Sequence, residues 1–125
     1  MARFSDLGIT TTDAIIGKGV TLGELFGKRI IIEKTLITPS KYPGKNASGM
    51  RMQMQVVFAD FHDEPDSSGD YFEKDVDGKP KGERFSCFTG SDNLIAAIQE
   101  AESKGMNLYP LDTTIVKVGR CFQFT

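Results

Sequence analysis

The stretch Arg84–Gly105, RFSCFTGSDNLIAAIQEAESKG, changes its period midway and so sets a strand directly before a helix. Phe85 and Cys87 alternate with Arg84, Ser86 and Phe88, the two-residue period of a strand with two unlike faces. Thr89-Gly90 breaks that pattern. Ser91 then offers an N-cap oxygen, Asp92 suits the positive end of the helix dipole, and Gly105 stands where a left-handed C′ residue is needed. Leu94, Ile95, Ile98 and Ala101 recur at helical spacing while Gln99, Glu100, Glu102 and Lys104 fall mainly on other faces, so the helix is expected to bury one stripe.

Strand-like material flanks this unit on both sides. Residues 28–38 carry Ile30, Ile31, Ile32, Leu36 and Ile37, a run too apolar for an open face, and Pro39 ends it. Residues 39–49, PSKYPGKNASG, have the proline, glycine and small polar content of a surface loop. From Met50 the chain alternates, with Met50, Met52, Met54 and Val56 on a face expected to fill the core and Arg51, Gln53 and Gln55 on the solvent face. Asp77-Gly78 marks a hairpin turn, which makes the second and third long strands an extended hairpin. After the helix, residues 113–118 and 120–125 read as two strands with a tight bend at Gly119. Before the first long strand, Thr21-Leu22-Gly23-Glu24 has capping-box spacing for a short N-terminal helix that ends at Gly27.

Charge is distributed unevenly. The chain of 125 residues has a formal net charge of −2, yet eight of its 17 acids and only one base, Lys74, lie between Asp60 and Asp77. The remainder is therefore net positive, by about five charges. Residues 1–20 read as an N-terminal arm, 21–125 as one domain, and 63–80 as an acidic hairpin insertion within it. Without a run of about 18 apolar residues or a basic segment followed by an apolar core at the start, the chain is expected to be cytoplasmic and independent of membranes. Cys87 and Cys121 are far apart and both in strand-like runs, as expected of reduced core cysteines.

Motifs for chemistry are weak. Gly17-Lys18 lacks the earlier glycine and the following Ser or Thr of a phosphate loop. Glu73–Arg84 approaches a calcium loop, but a cation stands at the twelfth position, where a bidentate Glu is required. His62 is the single histidine, so neither a metal set nor a Cys–His pair has support, and no catalytic residue, metal or cofactor is expected.

Five long strands with one helix between the third and fourth is the order of the OB-fold, a partly open five-stranded Greek-key barrel that binds oligonucleotides or oligosaccharides. The chain also resembles the single-stranded DNA-binding proteins of phages and prophages of Gram-positive hosts. That likeness is carried by Leu25-Phe26-Gly27-Lys28 with Ile30–Ile32, by Ile37-Thr38-Pro39-Ser40-Lys41-Tyr42, by Phe88-Thr89-Gly90-Ser91 with Leu94, by Thr113–Lys117 and by Phe122-Gln123-Phe124, together spanning most of residues 22–125. The acidic insertion departs from the compact form. The resemblance implies a non-catalytic protein that coats single-stranded DNA in the host cytoplasm during replication or recombination, with replication or recombination proteins and a homo-oligomer as further partners.

Sequence-tolerant binding of this kind needs cations along a groove and aromatic faces for bases. The candidates are Lys34, Lys41, Lys45, Arg51, Arg84, Lys117 and Arg120 for charge, Gln53 beside Arg51 on the solvent face, and Tyr42, Phe88 and Phe122 for stacking, with Phe61, Tyr71 and Phe72 also interleaved. Tyr42, between Lys41 and Pro43 in the first loop, is the aromatic least suited to burial. Two other readings stay open: a small β-barrel adaptor or inhibitor that contacts a protein through the acidic loop, and a ligand-binding or hydrolytic barrel.

Overall fold

Both helices begin where the caps place them. The computed structural model of the chain describes residues 15–40 and 49–125. In it Thr21 precedes the short helix α1 (Leu22–Leu25), and the Glu24 carboxylate accepts the Thr21 backbone N–H at 2.6 Å, one half of a capping box. Ser91 Oγ accepts the Leu94 N–H at the start of α2 (Asp92–Ser103), whose Leu94, Ile95 and Ile98 are buried as one stripe. Gly105 follows with φ +70°, the left-handed stop.

The strands are β1 (Lys18–Val20), β2 (Arg29–Pro39), β3 (Met50–Ala59), β4 (Gly82–Thr89), β5 (Leu111–Val118) and β6 (Cys121–Phe124). They form one mixed sheet in the order β1-β4-β3-β2-β5-β6. The chain is mainly β, as expected, but among the described residues the sheet has six strands and is not closed into a five-stranded barrel. Lys18–Val20, which the sequence assigns to the arm, runs parallel to β4 along Phe85–Cys87 and takes the edge that barrel closure would use. Gly17 permits that approach: its φ is +116°, and a Cβ there would lie 2.6 Å from the Arg84 carbonyl oxygen.

The inner face buries Ile30, Ile32, Met52, Met54, Val56 and Cys87 against Leu25, Ile115 and the α2 stripe. The methionine alternation thus fills the core. A bulge in β2 between Ile32 and Lys34 reverses the phase of that strand, so Ile30, Ile32 and Ile37 all join the inner cluster while Leu36 turns outward. Leu36 is consequently half exposed, contrary to the expectation that this run has no open face. Cys121 is exposed also, because it sits beside the β5–β6 turn and not in the core that holds Cys87.

The outer face is divided. Near Ala59 the acidic hairpin folds back over it, placing Phe72 on Ile31 and Val57, with Phe61 and Ala59 alongside, as a second apolar cluster. Phe61 and Phe72 also pair through the backbone, and Gly78, φ +78°, closes the expected turn. Phe72 is therefore a packing residue, with Phe61 partly buried beside it. Gln55, expected on the solvent face, is only 5% exposed: its amide donates to Glu33 at 2.9 Å and its oxygen accepts from the Ile16 N–H at 2.9 Å. No helix among the described residues is long and apolar enough to cross a membrane.

Candidate functional site

Strand pairing fixes which side chains share the open half of the outer face. Three cross-strand rows can be read from the registers: Thr38 beside Arg51; Leu36, Gln53 and Phe88; and Lys34, Gln55, Ser86 and Gly19. Directly opposed residues lie on one face, so these rows are continuous, with Gln55 and Ser86 of the third row buried. Within them Phe88 and Leu36 are each half exposed, on either side of Gln53. The Arg51 guanidinium carbon stands 4.9 Å from the Phe88 ring centre, a cation–π distance. Gln53 donates to the buried Ser86 hydroxyl at 2.9 Å, which fixes the amide beside the ring.

Two grooves meet at Phe88. One, about 450 Å³, is lined by Ser40, Met50, Arg51, Phe88, Thr89, Gly90, Ser91 and Phe122. The other, about 420 Å³, runs between Phe88 with Ser86 and the segment Gly19 to Leu22 with Glu24. Both fall in the range of roughly 300–1,000 Å³ typical of small-molecule sites. The ends of the first loop meet at the larger groove, where the Ser40 N–H donates to the Gly49 carbonyl at 2.8 Å. Lys41, Tyr42 and Lys45 lie outside the described residues.

The remaining sequence candidates separate into two groups. Lys117 is the direct cross-strand partner of Phe122, and Arg120 occupies the exposed β5–β6 turn, so both stand near the rim that Phe122 helps to form. Phe122 itself stacks on Phe26, ring centres 5.1 Å apart, and offers the groove only part of its surface. Arg84 is different. It points outward two residues before Ser86, but its Nε lies 2.7 Å from Glu33 and a terminal nitrogen donates to the Pro80 carbonyl at 3.1 Å. Its charge is thereby neutralised within the fold, and Lys34, half-buried in the neighbouring row, is also engaged by other groups. By contrast, Arg51 has no ion pair among the described residues; besides the ring, its one contact among them is the Thr38 hydroxyl, at 3.4 Å.

Leu36, Ser86, Gly19 and the Gly90-Ser91 turn were not among the sequence candidates. For Leu36 the missing signal is the bulge; for Gly19 it is the pairing of β1, which no local pattern announces. Ser86 could have been found, since it alternates with Phe88 and Arg84 on one strand face. Among the described residues no cluster of three or more His, Cys, Asp or Glu is arranged to hold a metal, and His62 Nδ1 faces the Glu64 carbonyl within its own turn. The Cys87 thiol, pushed up to about 11 by burial and secondarily by the charge of Glu24, is not poised as a nucleophile.

Comparison of the chain with family models, with curated proteins and with solved structures finds no match.

Proposed function

We propose that the chain is a non-catalytic, sequence-tolerant single-stranded DNA-binding protein and that the strand lies across the open half of the outer face. The observation that carries this is the half-exposed Phe88 with Arg51, which has no ion pair among the described residues, over its ring, set between two grooves. A flat aromatic surface accepts any base, and a guanidinium beside it accepts a phosphate, the two needs of single-strand recognition. The order β4-β3-β2-β5-β6, with α2 between β4 and β5, also follows the strand order of an OB-fold whose third strand edge is taken by β1. In that fold the middle strands, the first loop and the last turn form the binding surface. Those parts correspond here to β3 and β4, residues 40–49, and Gly119-Arg120. Involvement in replication or recombination, with partner proteins or further copies of the chain, belongs to the same proposal.

Fluorescence titration with a labelled oligothymidylate at two salt concentrations tests it. Micromolar or tighter binding that weakens steeply with salt is expected, because neutralised phosphates release counterions. Duplex of equal length should bind more weakly, since its bases are stacked away from Phe88. Absence of binding at low salt, or equal affinity for duplex, rejects the proposal.

One observation favours an adaptor instead. Val76 is fully exposed at the tip of the hairpin between Asp75 and Asp77, with Tyr71 partly exposed further along it. An apolar tip among acids suits a basic protein partner. Salt-sensitive binding of single strands that survives Val76→Ser would leave the adaptor role unnecessary for DNA binding.

A further inference from the structure

We propose that β1 forms the second wall of the nucleotide site, so that Phe88 stands as a wedge between two consecutive nucleotides of one strand. This rests on the single-strand proposal above. One nucleotide lies in the groove of Arg51 and Ser91, the next in the groove of Gly19 to Leu22.

Four features of the outer face support the division. Phe88 lines both grooves, whereas no other described residue does. Its ring therefore separates two volumes of similar size and does not merely roof one. Gly19 pairs with Ser86 and so shares the outer face with Phe88, two residues further along β4. A Cβ built on Gly19 would meet nothing within 4 Å, and its backbone is not in the left-handed region, so the glycine serves no conformational need and its missing side chain is open groove. Gly17, two residues before it, is the opposite case, required by close approach to β4.

The electrostatics of the two grooves also differ. The first has Arg51 on its wall; the second has Glu24, whose carboxylate is held by the Thr21 N–H at 2.6 Å and the Thr21 hydroxyl at 3.2 Å and lies below its ordinary pKa, chiefly because of those hydrogen bonds. A carboxylate repels phosphate. The second groove should accordingly receive a base and sugar, with the bridging phosphate kept on the Arg51 side of the ring. Beyond Ser86 the track ends, because Gln55 is covered from the Ile16 side and the hairpin closes the face at Val57. The ordered site therefore separates one pair of neighbouring bases.

The test uses the full chain. Gly19→Gln fills the second groove with neutral bulk at a position where a side chain has room, and it should weaken oligothymidylate binding by at least tenfold with the melting temperature unchanged. A second measurement does not depend on that variant. A short oligonucleotide with two adjacent 2-aminopurines, self-quenched by their mutual stacking, should brighten on binding the wild type and stay dim when bound to Phe88→Ala. Wild-type binding with no brightening, or Gly19→Gln binding like the wild type, overturns the wedge while leaving the single-strand proposal intact. A wild type that binds no oligothymidylate overturns both.

Discussion

The two ends of the outer sheet face use the same ingredients for opposite ends. Each sets a cation over an aromatic ring: Arg29 over Phe61 at 4.2 Å and Lys74 over Phe72 at 5.5 Å at the hairpin end, Arg51 over Phe88 at 4.9 Å at the open end. At the hairpin end every one of those cations has acids. Arg29 pairs with Asp112 at 2.6 Å, and Lys74 with Asp66 and Asp70 at 3.0 and 2.6 Å, while Phe72 is 2% exposed. At the open end Arg51 has no acid partner among the described residues, and Phe88 is half exposed. Part of the acidity that looks like a repulsive loop in the sequence thus serves to neutralise cations and seat Phe72. What distinguishes the packed end from the open end is the acid partner each cation has among the described residues.

The sharpest way to break this contrast is to truncate one ring at a time. Phe72→Ala should cost about 3–5 kcal/mol of stability, as a fully buried phenylalanine does, read from the shift of the urea unfolding midpoint. Phe88→Ala should change stability by no more than about 0.5 kcal/mol but weaken oligothymidylate binding by about 1–3 kcal/mol, with the salt dependence preserved. If Phe88→Ala instead destabilised like Phe72→Ala, the open ring would be a packing residue and the contrast would be lost.

Two arginines of the outer face, Arg51 and Arg84, should separate next. Arg51→Ala should lower the slope of log affinity against log salt by about one unit, one phosphate contact. Arg84→Ala should leave that slope unchanged and lower stability by about 1–3 kcal/mol, because Glu33 loses its charged hydrogen-bond partner in a largely buried position. A slope change in Arg84→Ala would mean that DNA displaces Glu33.

Smaller effects concern the titrating groups. At pH 8 a thiol reagent should modify Cys121 and spare Cys87 until the chain is unfolded; burial keeps the Cys87 thiolate from forming until about pH 11. Asp66 is held below its ordinary pKa of 3.8 first by the Asp70 backbone N–H and then by Lys74. The stabilisation this gives the hairpin is complete above pH 3.8 and is lost as pH falls through the lower folded value. Amide signals of residues 66–74 should shift in that window while those of Phe88 and Gln53 stay fixed, and a shared transition would join the two ends.

Several parts of the molecule were legible from residue order alone. Ser91 and Gly105 bound α2, Glu24 caps α1, and the alternation from Met50 to Val56 assigns the core face of β3, because caps and strand periodicity are local properties that a short segment carries wherever it packs. Phe88 and Arg51 were likewise identifiable as candidates, being outward positions of two adjacent strands. Exposure was not legible: Phe72, Phe88 and Phe122 have the same composition and similar strand-like surroundings, yet one is buried, one is open and one is shared with Phe26.

Tertiary structure decided everything that depends on which strand lies next to which. The bulge at Glu33 turned Leu36 outward, the fold of the hairpin buried Phe72, and Glu33 neutralised Arg84 across 51 residues of chain. The pairing of Lys18–Val20 with β4 occupies the β4 edge and lines the second groove at Phe88. Local propensity acts over a turn or a few residues, whereas the cover on a ring and the neutralisation of a charge come from partners distant in the chain, and only packing brings those partners together.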